Sequence, residues 1–482
     1  MLWLLKLRRY WRSGMSRYTL HTKISPIVDI LIRLACRIVN IFSRVVMFIE
    51  MTDKASNVPN PSICESIMKI KRIFGREILD SRGQPTLECV VILDNNTHIS
   101  ASVPAGASVG KYEAYELRDG DSGRYGGKGV LKAIHNLDTV LAPYLIGREP
   151  DIIAMDRDMI ALEGTSHKVR FGANTLLALS IAIIRAQALT YGVELYELIN
   201  KLWKFEKPVL PRCMFNIING GMHAQSGLCV QEFMIVPRSG DYAARLEQAV
   251  CFYYQLRTEL SKAGYSTGIG DEGGFAPCFA QQGIEREHAA LDLLQTVAAQ
   301  MPDKKVDFAL DVASSGFYDE KHHAYKLHDE DYSADELSAW YVELCKKYPL
   351  ISIEDGCAED DWDAWRLITS KLGKQIQLVG DDIFVTNTAR IQEGKKRGIA
   401  TAVLIKPNQI GTVSETIHAI TLCKQSGYQT VISHRSGETN DDFIADLAVG
   451  TAAGQLKAGA PVRGERVAKY NRLLDIARRL ES

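Results

Sequence analysis

Thr401–Gln409 reads TAVLIKPNQ. An apolar run of strand type stops at Lys406, and the proline behind it cannot donate to a sheet ladder. A lysine in that place is either a solvated strand end or a charge held where chemistry needs it. The pattern recurs through residues 204–482. VDFALD ends at Asp311, LISIED at Glu354 and Asp355, and IQLVGDD at Asp381 and Asp382. TVISHRS ends at His434, Arg435 and Ser436, and GQLKAGAP runs through Lys457. Between them lie stretches with helical periodicity and helix-start signals, such as SADELSAWYVELCKKY and TARIQEGKKRG. Alternating strands and helices predict parallel βαβ units, whose strands are buried on both faces and so read as continuous apolar runs. Several in series predict a βα barrel of the TIM type, with catalytic groups at the C-terminal strand ends.

Residues 68–203 read as a smaller α+β domain. GREILDSRGQPTLECVVILDNNTHISASVP alternates like an antiparallel sheet, with turns at Arg82-Gly83 and Asn95-Asn96. Helical segments follow, ending around FGANTLLALSIAIIRAQALTYG. The fold class is therefore α/β, a C-terminal βα barrel preceded by a smaller α+β domain. Residues 1–67 differ in kind. The first fifty hold nine Lys/Arg against two acids, Asp29 and Glu50. On a helix, Asp29, Arg33, Arg37, Asn40 and Arg44 would share one stripe of an otherwise apolar surface. Three arginines argue against a membrane span, and the broken apolar run argues against a secretory signal. Two readings stand for 1–67: an Arg-rich targeting or surface-binding segment, or sequence upstream of a start at Met47, Met51 or Met68.

Residues 51–482 carry 48 basic and 56 acidic side chains, a mildly acidic body that speaks against non-specific nucleic-acid binding. Hydrophobic content of 46% supplies ample material for a core. Ten cysteines are scattered without a CxxC pair, which predicts free thiols in a reducing compartment and neither a disulfide framework nor a zinc site.

Three carboxylates at one barrel rim, Asp311, Glu354 and Asp381, repel one another unless a cation sits among them, and hard oxygen ligands favour Mg²⁺. Lys406 and Lys457 would face the same centre. A lysine beside cations loses its proton more easily and can serve as a base; a Schiff base is the competing use. SHRSGE, Ser433–Glu438, offers a guanidinium, a hydroxyl and backbone N–H groups suited to a phosphate. His434 within it reads more readily as a satisfied rim histidine than as a direct participant. GIGDEGG, Gly268–Gly274, contains a GxGxxG, but no apolar strand precedes it and no clean helix follows, so it is not read as a dinucleotide site. It places Glu272, a natural partner for Glu232, and coupled carboxylates separate their pKa values so that one remains protonated as an acid. VPAGASVGKYEA, Val103–Ala114, reads as a hairpin loop, or as a lid carrying the Ser108 hydroxyl.

Eleven segments carry a resemblance in consistent order: GREILDSRGQPT, VPAGASVG, NIINGGMHA, QEFMIVP, GDEGGFAP, LDVASS, SIEDG, GDDIFVTN, LIKPNQIGT, SHRSGET and GQLKAGAP. Over residues 68–482 the chain resembles the enolase family, the hydro-lyases of 2-phospho-D-glycerate. The resemblance implies that Lys406 removes the C2 proton and contacts substrate, that Glu272 protonates the departing C3 hydroxyl, and that Glu232 stands beside it. It implies substrate contacts from His223, Gln231, His434, Arg435, Ser436 and Lys457. Asp311, Glu354 and Asp381 would ligate a tightly held Mg²⁺, and Ser108 a second one arriving with substrate. It further implies at least a homodimer and a cytoplasmic location, with any membrane, surface or organelle association depending on the extension. Ala105, Val109, Met222, Gly316 and Gly464 depart from the family's usual residues without removing a matched catalytic group. Two competing readings remain: another dehydratase on the same scaffold, disfavoured by the phosphate-binding segment and the two separate lysines, and a non-catalytic binding protein.

Overall fold

β1 (Ile70–Leu79), β2 (Pro85–Leu93) and β3 (His98–Ser102) form an antiparallel sheet in a computed structural model that describes residues 68–106, 110–301 and 305–481. The extension 1–67 lies outside the described residues. The turn signals sit where the sequence puts them. Asp80 Oδ1 accepts from the N–H groups of Arg82 and Gln84, both at 2.8 Å, and Gly83 takes φ +71°. Asn96 takes φ +65° in the second turn, a conformation asparagine tolerates. The helix Ala173–Thr190 packs on β2 and β3. It is apolar on nearly every face because nearly every face is buried.

The barrel closes in the order β10-β11-β12-β13-β14-β4-β5-β6. Its first strands are β4 (Arg212–Asn219), β5 (Glu232–Pro237) and β6 (Val306–Asp311). A small flap of β7 (Tyr318–Asp319), β8 (Ala324–Leu327) and β9 (Glu330–Tyr332) follows β6. The remainder are β10 (Leu350–Glu354), β11 (Gln377–Gly380), β12 (Ala402–Ile405), β13 (Gln429–Ser433) and β14 (Gly454–Lys457). The strand-like runs read from the sequence supply six of these eight. The helices Ala334–Lys347 and Thr388–Arg397 also lie where periodicity placed them. Ser333 and Glu336 form a capping box at the first, and Gly398 at φ +69° ends the second.

One expectation needs correcting. The barrel is not wholly parallel: β5 runs antiparallel to both β4 and β6. Residues 220–231, which join β4 to β5, contain only a short 3₁₀ turn, so the chain returns as a hairpin without a crossover helix. As a result β5 begins at the rim where its neighbours end. Its first residue, Glu232, pairs in register with Asp311, and Asp311 pairs with Glu354.

The barrel interior is filled by Met214, Met234, Ala309, Val379, Leu404 and Val431 among others. Side chains on a strand alternate faces, so two residues further toward the rim the same inward face presents Glu232, Asp311, Asp381 and Lys406. A dry apolar plug thus becomes a charged mouth within one pleat.

The described residues form one compact unit. Arg185, on the Ala173–Thr190 helix, donates to both oxygens of Asp441 at 2.6 and 3.0 Å and to Asp442 at 2.7 Å. Asp441 also accepts from the N–H groups of Ser102 and Phe443, so one largely buried carboxylate joins β3, the helix and the barrel. Removing the guanidinium leaves that carboxylate without its cation. Arg185→Ala is expected to lower the unfolding free energy by about 3 kcal/mol, measured by urea denaturation; an unchanged midpoint would contradict this account of the junction.

Candidate active site

The mouth of the barrel encloses a cavity of about 500 Å³, lined by His223, Gln231, Glu232, Glu272, Asp311, Asp381, Lys406, His434, Arg435, Ser436 and Lys457. Eleven residues singled out in the sequence therefore reach one space. Glu354 adjoins it through Lys457. The thirteenth candidate, Ser108, lies outside the described residues.

Lys457 Nζ donates to Asp311 Oδ2 and Glu354 Oε1, both at 2.8 Å, and lies 3.2 Å from Glu232 Oε1. All four side chains are almost wholly buried. Burial alone would lower the lysine's pKa, but Asp311, Glu232 and Glu354 raise it well above the usual value. The acids pay no less attention to their setting: burial and then Glu272 push Glu232 well up, and burial and then Asp311 push Glu354 well up.

Lys406 is ion-paired with Asp381 Oδ2, and Gln409 Nε2 donates to the other Asp381 oxygen at 3.0 Å. Burial acts to lower the Lys406 pKa, yet Asp381 prevails and raises it. Arg435 and Lys457 do act to lower it, as expected of neighbouring cations, but the ion-paired Asp381 carboxylate outweighs them. Asp381 does not gather directly with Asp311 and Glu354. It groups with Asp355 and Asp382, one ligand atom from each lying within 4.8 Å of the others. Asp355 accepts from the N–H groups of Asp381 and Asp382 at 2.9 and 3.0 Å, fixing the backbone that aims Asp381.

Glu272 and Glu232 flank His223, whose Nδ1 lies 3.7 Å from one and 3.8 Å from the other. Their pKa values do separate. Burial would raise Glu272, but His434, His223 and Arg466 outweigh it and hold it well below the usual range. The pair's proton therefore rests on Glu232. His434 is buried, which lowers its pKa to about 3 and keeps it neutral. Arg466 Nη1 lies 2.6 Å from His434 Nδ1, and a guanidinium can only donate. The imidazole proton is thus assigned to Nε2, which faces Glu272 Oε2 at 3.4 Å. His434 is accordingly more than a satisfied rim histidine.

Arg435 is clasped by Glu113 at 2.9 and 3.2 Å, and Arg82 Nη1 reaches the Ser436 hydroxyl at 3.4 Å. Gly437 pairs backbone to backbone with Ala105 at 2.8 and 2.9 Å; a Cβ there would meet Asp80 Oδ2 at 2.3 Å, so this approach requires glycine. Of the described departures, Met222 is exposed at the mouth, Gly316 faces open space, and Gly464 has only an ordinary neighbour in Asn440. Sequence reasoning missed Asn216, which donates to Glu272 Oε2 at 3.0 Å, together with Gln409, Glu113, Asp355 as a positioning group, and Arg466. Gln409 stood in the opening stretch, but an amide two residues past a proline carries no signal of its own.

A divalent cation fits this donor set. Asp311, Glu354 and Asp381 set three buried carboxylates against the two ammonium groups that contact them, and Glu232 Oε2, on the protonated member of its pair, has no hydrogen-bond partner among the described residues. The chain matches the description "Enolase, N-terminal domain" over residues 70–199 and "Enolase, C-terminal TIM barrel domain" over residues 207–482.

The raised carboxylates make a pH prediction. A carboxyl whose folded pKa lies above its unfolded value of 4.5 binds more protons in the folded state above that pH, so stability falls as pH rises through the window. Glu272 and Asp381, held low, give the opposite slope, but only below 4.5 and 3.8. With chelator present, unfolding free energy should decline above roughly pH 5, and Glu232→Gln should flatten that decline by up to ~1.4 kcal/mol per pH unit. An identical slope in the variant, followed by denaturant titration, would contradict the proton assignment.

Proposed function

The chain belongs to the enolase family, and from that premise we propose that it is a Mg²⁺-dependent hydro-lyase interconverting 2-phospho-D-glycerate and phosphoenolpyruvate. The observation that carries this reading is the convergence of Lys406, the Glu232–Glu272 pair, the metal-type carboxylates and the Arg435-Ser436 anion group on one cavity. The reading includes two ions per site, Asp311, Glu354 and Asp381 holding the first, with Ser108 contributing to the second. When bound, Mg²⁺ supplies Lewis-acid stabilisation of the charge that builds on the substrate carboxylate. A homodimer and a cytoplasmic location belong to the same proposal.

Each residue has a task that follows from its surroundings. A proton beside a carboxylate is barely acidic, because its removal adds charge to an existing anion. Lys457, an ammonium fixed among acids, offers positive charge to that developing dianion without reorganising. Lys406 must be neutral to accept the C2 proton. Its pairing with Asp381 opposes this, whereas Arg435 and Lys457 favour it, so engaging Asp381 elsewhere tips Lys406 toward the base form. The single proton of the Glu232–Glu272 pair leaves with the C3 hydroxyl as water, with the His223 ring between the two carboxylates and the Nε2–H of His434 facing Glu272. Arg435 and Ser436 receive the phosphate, for which Glu113 is the internal stand-in on the guanidinium.

The test is to follow the ultraviolet absorbance of the enol double bond formed from 2-phosphoglycerate, with Mg²⁺ and then with excess chelator. Turnover should require Mg²⁺, and Lys406→Ala should reduce it by about 10²–10⁴-fold while circular dichroism stays native. Undiminished turnover in that variant would remove Lys406 as the base.

A further inference from the structure

At the edge of the barrel mouth, whose cavity Cys229 also lines, three segments distant in sequence bring a thiol, a carboxylate and an imidazole together. Cys229 lies in the connection between β4 and β5, Glu287 in the first turn of the helix Glu285–Ala299, and His328 in the turn between β8 and β9. One ligand atom from each lies within 4.8 Å of the others. Glu287 Oε1 accepts from Cys229 N–H at 2.7 Å, and Glu287 Oε2 lies 2.9 Å from His328 Nε2. The His328 N–H donates to Cys229 Sγ at 3.3 Å. His328 adopts φ +54°, a left-handed conformation that non-glycine residues seldom take.

Glu287 is completely buried, yet its described partners are an amide and an imidazole. Arg286, beside it in the chain, turns away to the carbonyls of Gln281 and Gly227. Among the described residues no lysine or arginine pairs with this buried carboxylate, and His328 is its one potential cationic partner. We propose that Cys229, Glu287 and His328 bind a thiophilic divalent cation, zinc by its chemistry, at a site separate from the carboxylate cluster of the mouth. A sulfur, a nitrogen and an oxygen ligand suit Zn²⁺, whereas Mg²⁺ avoids sulfur. Cys229 and His328 also line a surface groove beside the flap, which leaves water access to a fourth position. Zinc there would tie the connection carrying His223 and Gln231 to the flap and to the helix. Zinc binds the thiolate, so uptake displaces the Cys229 proton and weakens as pH falls.

The full-length protein, stripped with chelator, would be loaded with Zn²⁺ or Co²⁺ in excess Mg²⁺. We expect one tightly held zinc per chain and, with Co²⁺, a thiolate-to-cobalt charge-transfer band in the near ultraviolet. Cys229→Ser should abolish the band, and His328→Gln should weaken metal retention at least tenfold, with native circular dichroism in both. Zinc should raise the unfolding midpoint of the parent chain and not of Cys229→Ser. Absence of the band in the parent protein, or its persistence in Cys229→Ser, would overturn the proposal. It would leave Glu287 and His328 as a hydrogen-bonded charge pair. None of these readouts depends on turnover, so they stand apart from the lyase assay.

Discussion

The architecture of the mouth follows from the row of acids that strand register sets side by side. Glu232, Asp311 and Glu354 occupy paired positions on three adjoining strands, all within a layer the barrel keeps from water. Like charges so placed cannot all be ionised without a counter-charge. Lys457 provides one from across the barrel, touching all three. The fixed ammonium and the unmatched negative charge left over are what make the cavity a cation site and a place to stabilise a dianion.

Around that row lies a layer of groups whose work is to aim others. Asp355 fixes the backbone beneath Asp381, Gln409 holds its carboxylate, Asn216 holds Glu272, and Arg466 sets the proton of His434. Arg466 is fully buried and also binds the carbonyls of Arg435, Asp271 and Ser436. One guanidinium thereby connects the anion-binding segment with the loop of Glu272. A geometry held this tightly can use small pKa differences, because the groups that create them do not move away.

The small antiparallel sheet completes the site from above. Arg82 and Ala105 meet Ser436 and Gly437, while Arg185 anchors the helix behind them to Asp441. The charged mouth therefore depends on contacts from residues more than 300 positions away along the chain.

The sequence by itself determined the element types and most of the site's membership. Unbroken apolar runs that end in charged residues and alternate with helical stretches read as buried strands of a barrel, and Asp311, Glu354, Asp381, Lys406 and Lys457 stand at their ends. It could not reveal that β5 runs backwards, because a strand's direction is set by the missing crossover helix and not by its composition. Nor could it say which groups would pair. Lys406 keeps its proton because Asp381 is ion-paired with it, and Glu232 holds the proton of its pair because burial and Glu272 raise it while His434, His223 and Arg466 lower Glu272. The scattered cysteines argued against a zinc site by their spacing, yet folding sets Cys229 beside a histidine 99 residues away and a glutamate 58 away. Charge pairing acts through space, over a few ångströms, and only the tertiary structure decides which residues fall within that reach.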